Sequence, residues 1–349
     1  MKSKKLMLIR NIIILVFSLI FLVGGCTCLY ADQLLNKIKY TPDIGSSQAG
    51  PALQFNAGNG SSSNTSAKAG IIGGMYHDDA IINILMLGTD DYQKDDVGRS
   101  DSMLLVSIDT RHNKLKITSF MRDLYVAIPG IGSNKLNAAY SLAGGREKGA
   151  RKVVTTLEAN FGIDIDRYVI VDFSAFPKII DRLGGVEINL TNETNSDGIT
   201  EAGIINAYSG DSKQVHTGLN NLDGLQARYY TRIREIGNDF ERTERQRKVF
   251  TSLVKKLKSA SLPTIYGVLA DTLNDITTNM TKDEIVSMAS NSLTYLHYPV
   301  AQDRVPRDGE YTPKTLDVGA CLVPNLTKSR DSFTKFIFEN DIPTGTYTP

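Results

Sequence analysis

From residue 78 onward, short apolar runs alternate with longer amphipathic stretches almost to the end of the chain. Ile81–Leu87, Met103–Ile108 and Lys114–Phe120 are short, apolar and partly β-branched, which predicts strands. The first is nearly continuous in apolar residues and predicts a central strand covered on both faces. Arg151–Phe161 predicts a helix and Arg167–Phe173 a strand. The helix expected next carries Phe176, Ile179, Ile180 and Leu183 on one face. Gly184-Gly185 ends that helix, and Val186–Leu190 predicts another strand. Leu222–Leu225 leads into an expected strand at Arg228–Arg234. Glu241–Lys258 is amphipathic, with Phe250, Leu253, Val254 and Leu257 as its apolar stripe, and helical patterns return at Ile265–Leu273 and Lys282–Tyr295. Strands mixed with helices predict an α/β fold or an α/β/α sandwich.

The chain begins differently. Lys2, Lys4, Lys5 and Arg10 precede an apolar run from Ile12 to Ala31. A helix of about 20 apolar residues spans a bilayer, and a basic flank stays in the cytoplasm. Two further readings stand beside a retained helix: a cleaved signal peptide, and a lipoprotein, since Val23-Gly24-Gly25-Cys26 loosely resembles a lipobox. All three put the following domain outside the cell. Thr41–Gly74 is rich in Gly, Ser, Asn and Ala with little periodicity, the composition of a flexible tether. The expected organisation is therefore a cytoplasmic tail at 1–11, a transmembrane helix at 12–31, a linker at 32–77 and a globular domain at 78–345.

Composition narrows the function. A net charge of +1 over 349 residues argues against a general nucleic-acid binder. The 3 cysteines form no CxxC pair, and His77, His112, His216 and His297 are dispersed without a metal-ligand spacing, so zinc is not expected.

What changes the picture is where the arginines and aspartates fall. Asp90 closes the first apolar strand, and Asp101 follows in Gly98-Arg99-Ser100-Asp101-Ser102. Two such carboxylates suit Mg²⁺ or Mn²⁺ beside substrate phosphates, although each Asp alone also suits a turn or helix cap. Arg122-Asp123 follows the third strand. On the expected strand, Arg232 and Arg234 share a face with Arg228 and Tyr230, an arrangement that calls for an anion between them or marks a charged edge strand. Asp239, Arg242 and Gln246 would line one side of a helix start, where phosphate is attracted, while Arg245 and Arg247 point elsewhere. Lys135 and Asn137 sit where a loop enters a helix. Arginines bind phosphate oxygens in a fork, so the set points to a substrate with more than one phosphate.

These stretches, together with Ile84-Leu85-Met86-Leu87-Gly88-Thr89-Asp90, Ser119-Phe120-Met121-Arg122-Asp123, Lys135-Leu136-Asn137-Ala138-Ala139-Tyr140, Val171-Asp172-Phe173 and Asp181-Arg182-Leu183-Gly184-Gly185-Val186, resemble the LytR-CpsA-Psr family of Gram-positive cell envelopes, in family order over roughly residues 80–260. The resemblance implies an α/β/α sandwich with a mixed central sheet. It also implies a phosphotransferase that takes a glycopolymer, a teichoic acid or capsular polysaccharide, from a polyprenyl-pyrophosphate carrier and joins it to peptidoglycan by a phosphodiester. On that pattern Asp90 and Asp101 hold the cation. Arg99, Arg122, Arg232, Arg234, Arg242 and Gln246 contact the pyrophosphate, with Lys135 and Asp239 close by. Arg99, Arg122, Arg232, Arg234 and Asp239 form the catalytic set, and either Asp239 or Asp123 takes the proton of the acceptor hydroxyl. Phe173, Phe176, Ile179, Ile180 and Leu183 could wall a lipid channel, or be ordinary core. Two departures stand out: Met121 replaces the usual proline before Arg122, and Arg228 replaces a usual leucine. A hydrolase of the lipid pyrophosphate and a non-catalytic binder of lipid-linked glycan remain as alternative functions.

Overall fold

The computed structural model describes residues 38–41, 69–72, 74–89, 97–98, 100–172, 175–210, 213–260, 264, 267–268, 271, 275–295 and 298–344. In chain order its strands and helices are β1 (Lys39–Tyr40), β2 (Ala69–Ile72), β3 (Met75–Asp78), β4 (Ile81–Thr89), β5 (Ser100–Asp109), β6 (Lys114–Phe120), β7 (Tyr125–Ile128), β8 (Gly132–Lys135), α1 (Ala138–Leu142), α2 (Arg146–Phe161), β9 (Arg167–Asp172), α3 (Ala175–Arg182), β10 (Val186–Leu190), α4 (Glu201–Tyr208), β11 (Gly218–Leu222), α5 (Gly224–Tyr230), α6 (Asp239–Ser259), β12 (Ile276–Thr278), α7 (Lys282–Tyr295), β13 (Val300–Val305), β14 (Tyr311–Leu316), β15 (Gly319–Pro324) and α8 (Leu326–Phe338). The chain divides into two units, a sheet unit (40–172, 277–281 and 298 onward) and a helical unit (173–276 and 282–297).

The sheet unit is built on seven strands in the order β1-β12-β9-β4-β5-β6-β13. The sheet is mixed: β4 runs parallel to β9 and β6 parallel to β13, while β5 is antiparallel to both β4 and β6. Central β4 is buried on both faces, as its unbroken apolar run predicts. Helix α2 lays Ala150, Val153, Leu157 and Phe161, spaced three or four apart, into the core and stops at Gly162 in the left-handed conformation. Phe120, Phe161 and Phe333 meet there edge-on or tilted, with ring centroids 5.3–6.0 Å apart.

In the helical unit, α5 packs on α3 and α4, and α6 packs on β10, which pairs antiparallel with β11. Two glycines make this possible. Gly185 closes α3 at φ +89°, and Gly224 lies so close to the Pro177 backbone that a Cβ would collide with it.

Two expectations need correction. The segment 228–234 is not a strand: α5 runs to Tyr230, and the turn continues through Thr231 and Arg232. The reason is the cap, because the Asp223 carboxylate accepts from the Gln226 backbone N–H while the Gln226 side chain accepts from the Asp223 N–H. The folded unit also starts earlier than residue 78. β2 and β3 form a hairpin, and Tyr76 exchanges backbone hydrogen bonds with Gly162 and Asp164. The apolar run 12–31 lies outside the described residues, as does most of 265–273. Among the described residues no helix is long and apolar enough to cross a membrane.

Candidate functional site

In the sheet unit, the carboxyl ends of β4, β9, β6 and β13 share one end of the sheet, where the antiparallel β5 begins. Ligands gather at such ends of open α/β sheets. Thr89 pairs with Ser100 across an irregular register, so Asp101 starts at this end, and Arg122 follows β6 by two residues. Arg122 Nη1 donates to Asp101 Oδ1 at 3.1 Å, its Nε lies 3.5 Å from Asp123 Oδ2, and Lys135 Nζ lies 2.9 Å from Asp123 Oδ1. The four side chains form one row of alternating charge, each 18–24% exposed. Ion pairs open to solvent contribute little stability, about 0–1 kcal/mol each.

The backbone holds it rigidly. Asn137 N–H donates to Arg122 O, Leu136 N–H to Leu124 O, and Leu322 N–H to Asp123 O at 2.9 Å. That last bond comes from β15, an element absent from the sequence-based expectation. It also brings buried Cys321 beside the Asp123–Lys135 pair, where burial pushes the thiol pKa up.

In the helical unit the predicted residues fall on the end of α5, the loop after it and the start of α6. Arg242 is 3% exposed and pairs with Asp239 at 2.8 Å, one helical turn away, as the i, i+3 spacing predicts. Arg232 and Gln246 are half-buried, and Arg234 is exposed. Arg232 and Arg234 therefore do not share a strand face; they ride a loop. That loop is pinned by Arg245. Its guanidinium donates to Glu201 Oε1 at 2.8 Å, to Ile233 O at 3.1 Å and to Ile236 O at 2.8 Å. Arg245 thus fixes the backbone that presents Arg232 and Arg234.

Asp90, Arg99 and Phe173 lie outside the described residues. Of the other lipid-channel candidates, Ile179 and Ile180 are 3% and 0% exposed and belong to the core, while Phe176 and Leu183 are half-buried. For the metal, Asp101 offers a partly exposed carboxylate at a sheet end, the hard oxygen donor that Mg²⁺ takes together with substrate oxygens, and it fits that role.

The histidines are not as isolated as their spacing suggests. His77 Nδ1 bonds Asp164 Oδ2 at 2.7 Å and Nε2 bonds Asp79 Oδ1 at 2.9 Å. The Asp164 bond chiefly lifts the His77 pKa to about 9. Asp166 beside them is pushed up to about 7 by burial and by the Asp164 charge. His112 likewise joins Asp109 and Glu339. Sequence distance hid the third partners, Asp164 for His77 and Glu339 for the Asp109–His112 pair, which only the fold brings in.

The fold is that of a mixed α/β protein, with arginine, lysine and aspartate side chains gathered at one end of its sheet. The chain belongs to the LytR_cpsA_psr family, whose model matches residues 50–328. It is similar to the Bacillus cereus polyisoprenyl-teichoic acid–peptidoglycan teichoic acid transferase TagU, at 34% identity over 214 residues, which cover 60% of this chain and 64% of that protein. The match thus spans just under two thirds of that relative's length. Among solved structures, TagV of Bacillus subtilis is 25% identical with a TM-score of 0.56, covering 77% of this chain and 98% of its own. The family protein YwtF (TagT) with bound octaprenyl pyrophosphate lipid shares the fold at 22% identity and a TM-score of 0.54, covering 74% of this chain and 90% of its own.

Proposed function

We propose that this chain is a phosphotransferase that moves a glycopolymer, a teichoic acid or capsular polysaccharide, from a polyprenyl-pyrophosphate carrier to peptidoglycan through a phosphodiester bond. The observation that carries the reading is the Asp101–Arg122–Asp123–Lys135 row at the sheet end, a paired set of charges poised to exchange partners with an anion. The relative named as a teichoic acid transferase and the family structure holding a polyprenyl pyrophosphate support it.

Phosphoryl transfer depends on positioning and charge neutralisation more than on covalent chemistry by the protein. On this reading Arg122 and Lys135 turn from their carboxylates to phosphate oxygens, and Arg99, Arg232, Arg234, Arg242 and Gln246 supply the other pyrophosphate contacts. Charge gathering on the departing polyprenyl phosphate is met by fixed guanidinium groups. Asp101, with Asp90, would hold Mg²⁺ or Mn²⁺, which supplies additional positive charge to the phosphate oxygens. Asp239 or Asp123 accepts the proton of the attacking hydroxyl. Phe173, Phe176 and Leu183 are the residues we assign to the lipid, with Ile179 and Ile180 behind them. We also place residues 12–31 in the cell membrane as a single span, the globular part outside the cell, and the sheet within an α/β/α sandwich.

The test is release of polyprenyl phosphate from a lipid-linked saccharide. Release that needs added Mg²⁺ or Mn²⁺ and is lost in Asp101→Ala supports the reading. Full release in EDTA, or full release by Asp101→Ala, refutes the metal and residue assignment.

A further inference from the structure

The end of α5 carries a charge that no carboxylate meets among the described residues. Arg228 is half-buried and its Nε is shielded from solvent, yet no acceptor bonds it, and no carboxylate pairs with its guanidinium among the described residues. Arg245, by contrast, is met by Glu201 and two carbonyls. A buried guanidinium N–H without an acceptor destabilises the fold, and each such group in a folded protein requires a reason.

Flexibility does not supply one. The Asp223–Gln226 capping box fixes the start of α5, Gly224 seats it against Pro177, and Ala227 and Tyr230 are buried on either side of Arg228 in sequence. The helical turn carries on past the helix, with Thr231 N–H donating to Ala227 O at 3.0 Å and Arg232 N–H to Tyr229 O at 2.9 Å. Arg228 and Arg232 are four residues apart on this continuous turn, the spacing of neighbours on a helix surface. An anion seated at this turn is within reach of both side chains.

We infer that Arg228 is a further substrate-contacting residue, which takes a phosphate oxygen of the donor beside Arg232. The inference rests on the transferase reading and deepens it. A phosphate suits the place because its oxygens accept from a guanidinium fork. That phosphate belongs either to the pyrophosphate bridge or to a phosphodiester within the polymer.

The two sources and the two roles separate in one experiment. The full chain in detergent is titrated with farnesyl pyrophosphate and with a glycerol phosphate oligomer, as wild type, Arg228→Leu and Arg228→Lys, and each variant's thermal midpoint is measured. Leucine keeps much of the apolar stem and removes the unmet donor, so Arg228→Leu should melt at or above the wild-type midpoint. It should lose roughly ten- to hundredfold in affinity for one probe, the loss of a charged hydrogen bond. The probe that weakens identifies which phosphate Arg228 holds. Arg228→Lys, which keeps the charge, should bind that probe more tightly than Arg228→Leu. Unchanged affinity for both probes in Arg228→Leu overturns the inference and leaves the transferase reading intact. A marked fall in the midpoint, or failure to fold, assigns Arg228 to structure and overturns it equally. Wild-type protein that binds neither probe overturns the transferase reading, and the inference with it.

Discussion

Two kinds of arginine coexist in this chain, and their surroundings separate them. Arg245 is 2% exposed and answers Glu201 and two carbonyls, so it is a buried pin. Arg122 is part-exposed and shares two carboxylates that an anion could replace. Arg245→Ala strands the Glu201 carboxylate, and breaking a buried pair costs about 3–5 kcal/mol. Urea unfolding should therefore show a large drop in midpoint, and a change below about 1 kcal/mol would contradict the buried-pin assignment. The opposite pattern is expected at the sheet end. Arg122→Ala should lower turnover by about a hundredfold or more, the scale of losing one charge-stabilising donor. Its thermal midpoint should stay near wild type, because pairs at this exposure stabilise little. Equal loss of fold and activity would place Arg122 among the structural arginines. Helical spacing sets Arg245 and Arg247 apart from Arg242, but the partner of Arg245, Glu201, lies more than forty residues away and is shown only by the fold.

At the scale of elements, the β2–β3 hairpin is latched by His77 between Asp79 and Asp164. The His77 pKa is raised to about 9, above its ordinary value of 6.5. The latch is therefore complete below pH 6.5 and is lost as the pH rises through 9. Wild-type stability should fall across that window more steeply than that of His77→Gln, as followed by thermal melts; parallel curves would show that the latch carries no charge. For α5, Gly224→Ala should lower stability by driving a Cβ into the Pro177 backbone, a steric conflict of the kind that typically costs 1–3 kcal/mol, roughly. A neutral Gly224→Ala would mean that α3 and α5 can separate without penalty. Elements with strong periodicity were legible in the sequence: β4, β6, α2, α3 and α6 all fall where hydrophobic spacing puts them. The strand expected at 228–234 failed because aromatic and β-branched Tyr229, Tyr230, Thr231 and Ile233 resemble a strand. The local evidence for a helix, Asp223 three residues before Gln226, outweighs that propensity once both capping bonds form.

At the scale of the whole molecule, the charged row was legible as a list of residues and not as an arrangement. Motifs mark Asp101, Arg122, Asp123 and Lys135, but the backbone bond that seats Asp123 comes from β15, which follows it by almost two hundred residues. Long-range pairing of this kind leaves no mark in local spacing. The same limit moved the domain boundary. Composition placed the folded part from residue 78, whereas Tyr76 packs edge-on against Phe338 at 6.1 Å and His77 joins the Asp164 cluster. A chain beginning at residue 78 should melt below one beginning at residue 69; identical midpoints would make the hairpin dispensable.

The central claim is that phosphate joined to saccharide passes to a peptidoglycan hydroxyl. The most direct measurement is the mass of the product formed when the full chain meets Mg²⁺, a polyprenyl-pyrophosphate-linked saccharide and peptidoglycan oligomers. The account predicts saccharide-phosphate covalently attached to the glycan, formed by wild type and absent with Asp101→Ala. Free saccharide-phosphate released at the same rate with or without the oligomers, and no adduct, would contradict it and leave a hydrolase in its place.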